Sequence, residues 1–452
     1  MTSKFDHTVY TLRRARLASQ LGAQGVAIIP TAPEQQRNRD SNFLYRHDSY
    51  FYYLTGFTEP NATLIIFADG RTVLFCQPKD VEREIWDGYR LGPESAVQVL
   101  GVTSAYSNVL IDTEMPKFLE NIPTLWYPFS IHKGLSVQID NWLTVVQSKV
   151  RSGVSAPHRL NDVCSLIDEM RLIKDSHEIE LMRTAGRISA NAHIRAMQFC
   201  STNIRNKNQI FEYHLDAELL YEFRRCGSEF PAYSSIVASG SNACVLHYRA
   251  DKASINDGEL VLIDAGCEYS SYAGDITRTF PANGRFSRAQ RALYDVVLES
   301  QYAAVSSTRS GALFTDPHNA ALRVLCKGLL DLGILKADKC GSVDDVIANK
   351  DYFPFYMHRT SHWLGMDVHD CGAYSEPNSL AQNSAPSPRV LRTGMVLTIE
   401  PGLYIRPSAD VPVEYHNMGI RIEDDALVGD SACELLTRDV PVDPIEIENL
   451  MN

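Results

Sequence analysis

No apolar run in this chain approaches the roughly eighteen residues a membrane-spanning helix needs. The N-terminal stretch MTSKFDHTVYTLRRARLASQL lacks an apolar core followed by a cleavage signal, which argues against a secretory peptide. It carries Arg13, Arg14 and Arg16, as a mitochondrial presequence would, but Asp6 and the direct run into domain-like sequence favour a plain first helix. The ten cysteines include no C-x-x-C pair and no framework spacing, so a reduced, cytoplasmic protein with unpaired thiols is expected. Neither a P-loop nor a G-x-S-x-G elbow is present, which removes the usual phosphate cradle and the serine-nucleophile elbow. Gly22 and Gly25 precede the first apolar run instead of following a strand, so they make no dinucleotide fingerprint. No repeat of solenoid or propeller period is found. Excess positive charge is missing too: 43 Lys and Arg face 55 Asp and Glu, a net charge of −12. That balance speaks against nucleic acid or an anionic membrane as partner.

What is present is the composition of an ordinary globular protein, 44% apolar and 22% charged. At 452 residues the chain outgrows one ordinary core, so two domains are expected. GVAIIP from Gly25 and ATLIIFADGRTVLFC from Ala62 read as strands, the second folded at Asp69-Gly70. The Gly, Ser and Pro of Ser152–Pro157 suggest a linker entry. A helical pattern follows and breaks near Lys174-Asp175-Ser176, with a fresh helix start at Ser176. The expected domains are therefore residues 1–174 and 175–452. Residues 373–392, rich in Ser, Pro, Asn and Ala, read as a long surface loop.

Five residues in the second half carry the chemistry: Asp264, Asp275, His362, Glu400 and Glu423. Brought together, four carboxylates would repel one another, and some would have to stay protonated. Two divalent cations cancel that charge, and a water held between them ionises readily. LVLIDAGCEYSSYAGDITRTF reads as a β-hairpin. A turn at Tyr269-Ser270 pairs Glu268 with Ser271 and sets Asp264 opposite Asp275, with Cβ atoms about 5 Å apart. Like charges facing each other on paired strands destabilise them unless a counter-ion intervenes. Gly266 and Gly274 warn of a bulge that would change this count.

Glu400 closes the apolar run MVLTI, where an unpaired buried charge is expensive. In GIRIEDDALV, strand alternation puts Arg421 and Glu423 on the face opposite Ile420 and Ile422. Read alone, that segment is equally an edge strand with one face in water. His358, His362 and His369 fall within a short segment flanked by Phe355, Trp363 and Leu364, which favours a site over three incidental histidines. The spacing of His358 and His362 is that of a zinc-protease helix, but Arg359 stands where the general-base Glu belongs. His247, in ACVLHYRAD, is a fourth candidate.

In order along the chain, NACVLHY, LVLIDAGCEYSSYAGDITRTFP, SHWLGMDVHD, GMVLTIEPGLYI and GIRIEDD resemble the signature blocks of the aminopeptidase P branch of the pita-bread metallopeptidases. RRARL, HDSYFYYLTGF and EIWDGYRLGP resemble that family's creatinase-like N-terminal domain, so the likeness spans nearly the whole chain. It implies an α/β fold, with a creatinase-like N-terminal domain followed by a pita-bread catalytic domain. It also implies that Asp264, Asp275, His362, Glu400 and Glu423 are ligands to two divalent ions. His247, His358, His369, Tyr404 and Arg421 match inner-shell and substrate-contacting positions. Trp86 matches a residue that reaches a neighbouring subunit's active site in bacterial relatives, so a homo-oligomer, tetramer or dimer, is implied. Two departures bear on specificity. Arg359 stands where relatives commonly have Gly, and the 373–392 loop is longer than in the bacterial relatives.

The implied reaction removes the first residue from peptides with proline in second position, using a hydroxide bridging the two ions. Oxygen-rich coordination favours Mn2+, with Zn2+, Co2+ or Fe2+ also fitting. Glu400 is the expected proton acceptor, and His369, with His247, the donor to the oxyanion. Three alternatives stand beside this. A prolidase would cut Xaa-Pro dipeptides with the same ligands, a methionine aminopeptidase would leave the N-terminal domain unexplained, and an inactive binding module would typically have lost ligands.

Overall fold

The first helix, Thr8–Ala18, turns part of its arginine cluster inward. In the computed structural model of the protein, which describes residues 7–249, 252–376 and 387–452, the Arg14 guanidinium donates to the carbonyls of Leu54, Leu100 and Gly101. The chain divides into two units, Met1–Met170 and Arg171–Asn452. Arg171 and Lys174 direct their charges at the buried Asp370 of the second unit.

The first unit is built on a mixed six-stranded sheet, in the order Ser104–Ser107, Thr72–Cys76, Thr63–Phe67, Gly25–Pro30, Thr124–Tyr127 and Arg159–Asp162. The Asp-Gly turn lies where expected, with Gly70 at φ 90°. Alternate residues Val26, Ile28, Ile65, Phe67, Val73 and Phe75 face one core. Helix Leu135–Gln147 fills it with Leu135, Ile139, Trp142, Leu143 and Val146, an apolar stripe of helical period.

Near the start of the second unit runs a 30-residue helix, Ser176–Arg205. Asp175 caps it and forms a reciprocal capping box with Glu178, so the chain cannot continue helical through 175. Buried Met182, Ala185, Gly186, Ser189, His193, Ala196, Met197 and Cys200 form its inward stripe. Strand Leu260–Asp264 lies between Ile236–Ser239 and Thr277–Pro281. Val396–Ile399 pairs with Asp424–Val428, and Gly402–Ile405 with Met418–Arg421.

The hairpin register differs from the one counted on the sequence. Ser270 and Ser271, at φ 48° and 69°, form the turn, and Tyr269 pairs with Tyr272. The type I′ hairpin turn, one of the two that match strand twist, needs positive φ at both positions, and this serine pair adopts it. Asp264 therefore faces Thr277, not Asp275. Because the shift is two residues, side-chain parity survives, and Asp275 stays on the face of Asp264 as a diagonal neighbour. No bulge intervenes, since Gly274 N–H donates to Cys267 O and Ala265 N–H to Ile276 O. Gly266 permits the close approach: a Cβ there would lie 1.6 Å from the Gly274 carbonyl oxygen.

Of the loop expected at 373–392, residues 377–386 lie outside the described residues, while Ser375 and Pro388 pair across its base. All ten cysteines are free, and among the described residues no helix is long and apolar enough to cross a membrane.

Candidate active site and metal centre

Asp264, Asp275, His362, Glu400 and Glu423 all line one cavity of about 950 Å3 in the second unit. Asp264 ends its strand, and Asp275 follows Gly274, its backbone N–H donating to Asp425 Oδ2 at 3.1 Å. His362 and Glu400 are set by β-like pairing between neighbouring segments. Thr398 N–H donates to His362 O, and Glu400 N–H donates to Thr360 O. Glu423 sits in the break between strands Met418–Arg421 and Asp424–Val428.

The His362 Nδ1 donates to the Trp363 carbonyl at 2.9 Å, leaving Nε2 to face Asp275 Oδ2 at 3.5 Å and Glu400 Oε1 at 3.6 Å. A backbone carbonyl fixing the far nitrogen is how metal-binding histidines are commonly oriented. Ligand atoms of Asp275, His362 and Glu423 lie within 4.8 Å of one another. The Tyr233 hydroxyl lies 2.6 Å from Asp264 Oδ1 and 2.5 Å from Asp275 Oδ1. One hydroxyl carries one proton and cannot satisfy both anions, whereas a divalent cation can. The donor set fits metal.

Electrostatics point the same way. Burial, then the charges of Asp275 and Glu400, push the Glu423 carboxyl well above its usual range. Burial also raises Asp264 against the pull of Arg421, and it lifts Glu400 to about 7 against His362. Burial lowers the His362 imidazolium, but the Asp275 hydrogen bond and the Glu400 charge outweigh it and hold the group at about 9. Cations among these carboxyls would return them to their anionic forms.

A buried relay stands behind the acids. Arg421 pairs with Asp264 and donates to Thr277 Oγ1 and to the Tyr404 hydroxyl, both at 2.9 Å. Thr277 Oγ1 in turn donates a hydrogen bond to Glu423 Oε2 at 2.6 Å. His358 Nδ1 must donate to the Arg359 carbonyl, so its Nε2 accepts from Tyr404 at 2.8 Å. Burial, followed by the Arg421 charge, pushes His358 down to about 3, so it stays neutral. The His369 ring lies 4.2 Å from that of His362, and burial, then the His362 charge, lowers it. His247 lies exposed on the cavity wall. Tyr404 is fully buried under Arg421 and does not line the cavity. Trp86, by contrast, belongs to the first unit, on helix Val81–Asp87, and is 84% exposed.

Sequence reasoning missed Tyr233, Thr277 and Asp425. A lone tyrosine in FPAYSS carries no signal. Thr277 was legible as the residue two past Asp275, on the same strand face. Asp425 had a cue in three consecutive acids entering an apolar strand, because a buried carboxyl there needs a role.

Known proteins resemble this chain over nearly its whole length. Residues 180–430 match the model of metallopeptidase family M24, and residues 10–126 match the aminopeptidase P N-terminal domain. An Xaa-Pro aminopeptidase of Escherichia coli is 42% identical over 99% of this chain and 98% of its own. Human Xaa-Pro aminopeptidase 3 is 32% identical, covering 100% of this chain and 87% of its own. The structure of Pseudomonas aeruginosa aminopeptidase PepP superposes with a TM-score of 0.93 at 44% identity, covering 99% of this chain and 98% of that one. A zinc-substituted E. coli aminopeptidase P in complex with product gives 0.92 at 42% identity, covering 99% of each chain. The chain belongs to metallopeptidase family M24 and carries an aminopeptidase P N-terminal domain.

Proposed function

We propose that this protein is an Xaa-Pro aminopeptidase, releasing the N-terminal residue from peptides whose second residue is proline. The observation that carries the reading is the convergence of Asp264, Asp275, His362, Glu400 and Glu423 on one cavity, in a chain that matches Xaa-Pro aminopeptidases from end to end. These five residues would hold two divalent ions, and the oxygen-dominated set favours Mn2+ over Zn2+, Co2+ or Fe2+. Bound there, such ions acidify water and polarise the scissile carbonyl.

The chain's own groups do the rest. Glu400 takes a proton from the attacking water as the new carbon–oxygen bond forms. His369, with His247 on the same wall, donates to the oxygen that gains negative charge. Glu400 then returns the proton to the prolyl nitrogen, the carbon–nitrogen bond breaks, and the proline peptide leaves as a secondary amine. Because the prolyl amide has no N–H, the cavity needs no acceptor for it. Arg421 and Thr277 keep Asp264 and Glu423 oriented throughout.

The same reading makes the protein a cytoplasmic homo-oligomer, dimer or tetramer. Its support is helix Val81–Asp87, which buries none of its residues and leaves Val81, Ile85 and Trp86 exposed beside Tyr89. An apolar cluster of that kind suits a subunit contact.

The test is to strip metal, restore Mn2+, and compare an Xaa-Pro-Yaa tripeptide with an Xaa-Pro dipeptide. Metal-dependent cleavage of the tripeptide is expected. Preference for the dipeptide would make the protein a prolidase, and no cleavage with any divalent ion would make it a binding module.

A further inference from the structure

Two arginines on the cavity wall are uncommitted. Arg249 and Arg359 both line it and both are exposed, and among the described residues neither side chain makes a hydrogen bond or ion pair. The third arginine of the cavity, Arg421, is buried and bound to Asp264, Thr277 and Tyr404. Arg359 also acts on its surroundings: burial first, and then the Arg359 charge, push the wall residue His318 down to about 4. His318 therefore stays neutral and adds no competing cation at neutral pH.

Position and size agree. Arg359 precedes His362 by three residues in a segment paired beside Val396–Ile399, so their Cα atoms are at most about 10 Å apart. A peptide advances about 3.4 Å per residue, which brings a group one or two residues past the proline within reach of a long arginine side chain. The cavity, at about 950 Å3, has room for those residues.

We propose that Arg359, together with Arg249, forms a carboxylate-binding subsite for the residues that follow proline. This rests on the aminopeptidase reading and narrows it to short or acidic peptides. The ligand is a carboxylate, either the free C-terminus of a short peptide or an Asp or Glu side chain, and the guanidinium fork suits it.

The Mn2+-loaded protein tests this with four peptides: Xaa-Pro-Gly with a free C-terminus, its C-terminal amide, Xaa-Pro-Glu amide and Xaa-Pro-Lys amide. The two carboxylate peptides should exceed the Gly amide about tenfold in kcat/KM, mainly through KM, as one charge-assisted hydrogen bond at a part-exposed site would give. The Lys amide should fall below it. A preference for the free C-terminus alone assigns the subsite to short peptides, and a preference for Glu alone assigns it to acidic side chains. R359Q and R249Q should each narrow the ratio, and the double variant should bring it close to one, while R359K keeps part of it. Equal cleavage of all four peptides, or a ratio that survives the double variant, would overturn the subsite and leave the peptidase intact. Failure to cleave any of them would overturn both.

Discussion

Tyr404 shows what a single buried hydroxyl does beneath this site. Fully buried, it accepts from Arg421 Nη1 and donates to His358 Nε2, tying the cation behind Asp264 to a neutral imidazole. Tyr404→Phe would take one hydrogen-bond partner from buried Arg421 Nη1 and one from half-buried His358 Nε2, so urea denaturation should show a loss of about 1–3 kcal/mol. An unchanged midpoint would show that the two partners find water instead. Glu400→Gln acts differently. It keeps the shape and removes the proton acceptor, so turnover should fall by about 100- to 10,000-fold while circular dichroism and the melting transition hold. An active, metal-replete Glu400→Gln would contradict the role assigned to it. At this scale the candidate ligands were legible because their chemistry is carried by residue type and by flanking apolar runs. Tyr233 was not, since nothing local distinguishes a tyrosine that spans two carboxylates from one that fills a core.

Between neighbouring elements, the turn that carries His369 is held from behind. Asp370 receives Arg171 Nη2 at 2.6 Å and Lys174 Nζ at 3.1 Å, and all three side chains are 1% exposed. Its backbone N–H donates to the Trp363 carbonyl. Space is tight as well, because a Cβ at Gly365 would lie 2.2 Å from Asp370 Oδ2. Removing one partner of a buried ion pair typically costs about 3–5 kcal/mol, so Asp370→Asn should destabilise on that order, read by chemical denaturation. Among molecules that remain folded, kcat should fall more than KM rises, because His369 loses its support. A variant with wild-type stability and kcat would show that the turn holds itself. The hairpin illustrates what sequence leaves open at this scale. Alternation fixed the faces of Asp264 and Asp275, but the turn centre depended on Ser270 and Ser271 taking positive φ, which serine does not announce.

For the whole molecule, two domains follow from length alone, whereas the burial of particular histidines follows only from packing. Among the described residues His47 in the first unit and His193 in the second are the least exposed. His47 in the first is pushed down to about 3 by burial and then by Arg46, and it stacks on Tyr52 at 4.3 Å. His193 in the second is fully buried on the long helix, its Nε2 donating to the Ala265 carbonyl at 2.9 Å, and burial pushes it down to about 4. A histidine with a depressed folded pKa binds no proton in the native state where the unfolded chain, near 6.5, already does. The contribution is therefore complete above pH 6.5 and is lost as pH falls from there towards the folded value. By pH 5 each such group removes about 2 kcal/mol, so acid should weaken both units. The carboxyls around the metal centre act in the opposite sense in metal-free protein, since their raised pKa values favour the folded state on protonation. Comparing wild type with His193→Gln in the metal-free state separates the two effects, because the glutamine amide can still donate to Ala265 but does not titrate. Urea midpoints at pH 7.5 and pH 5 should show the variant less stable at the higher pH, with a difference that shrinks by about 2 kcal/mol at the lower. A constant difference between the two pH values would mean that His193 is protonated in the folded protein, and the acid lability would then have to come from elsewhere in the chain.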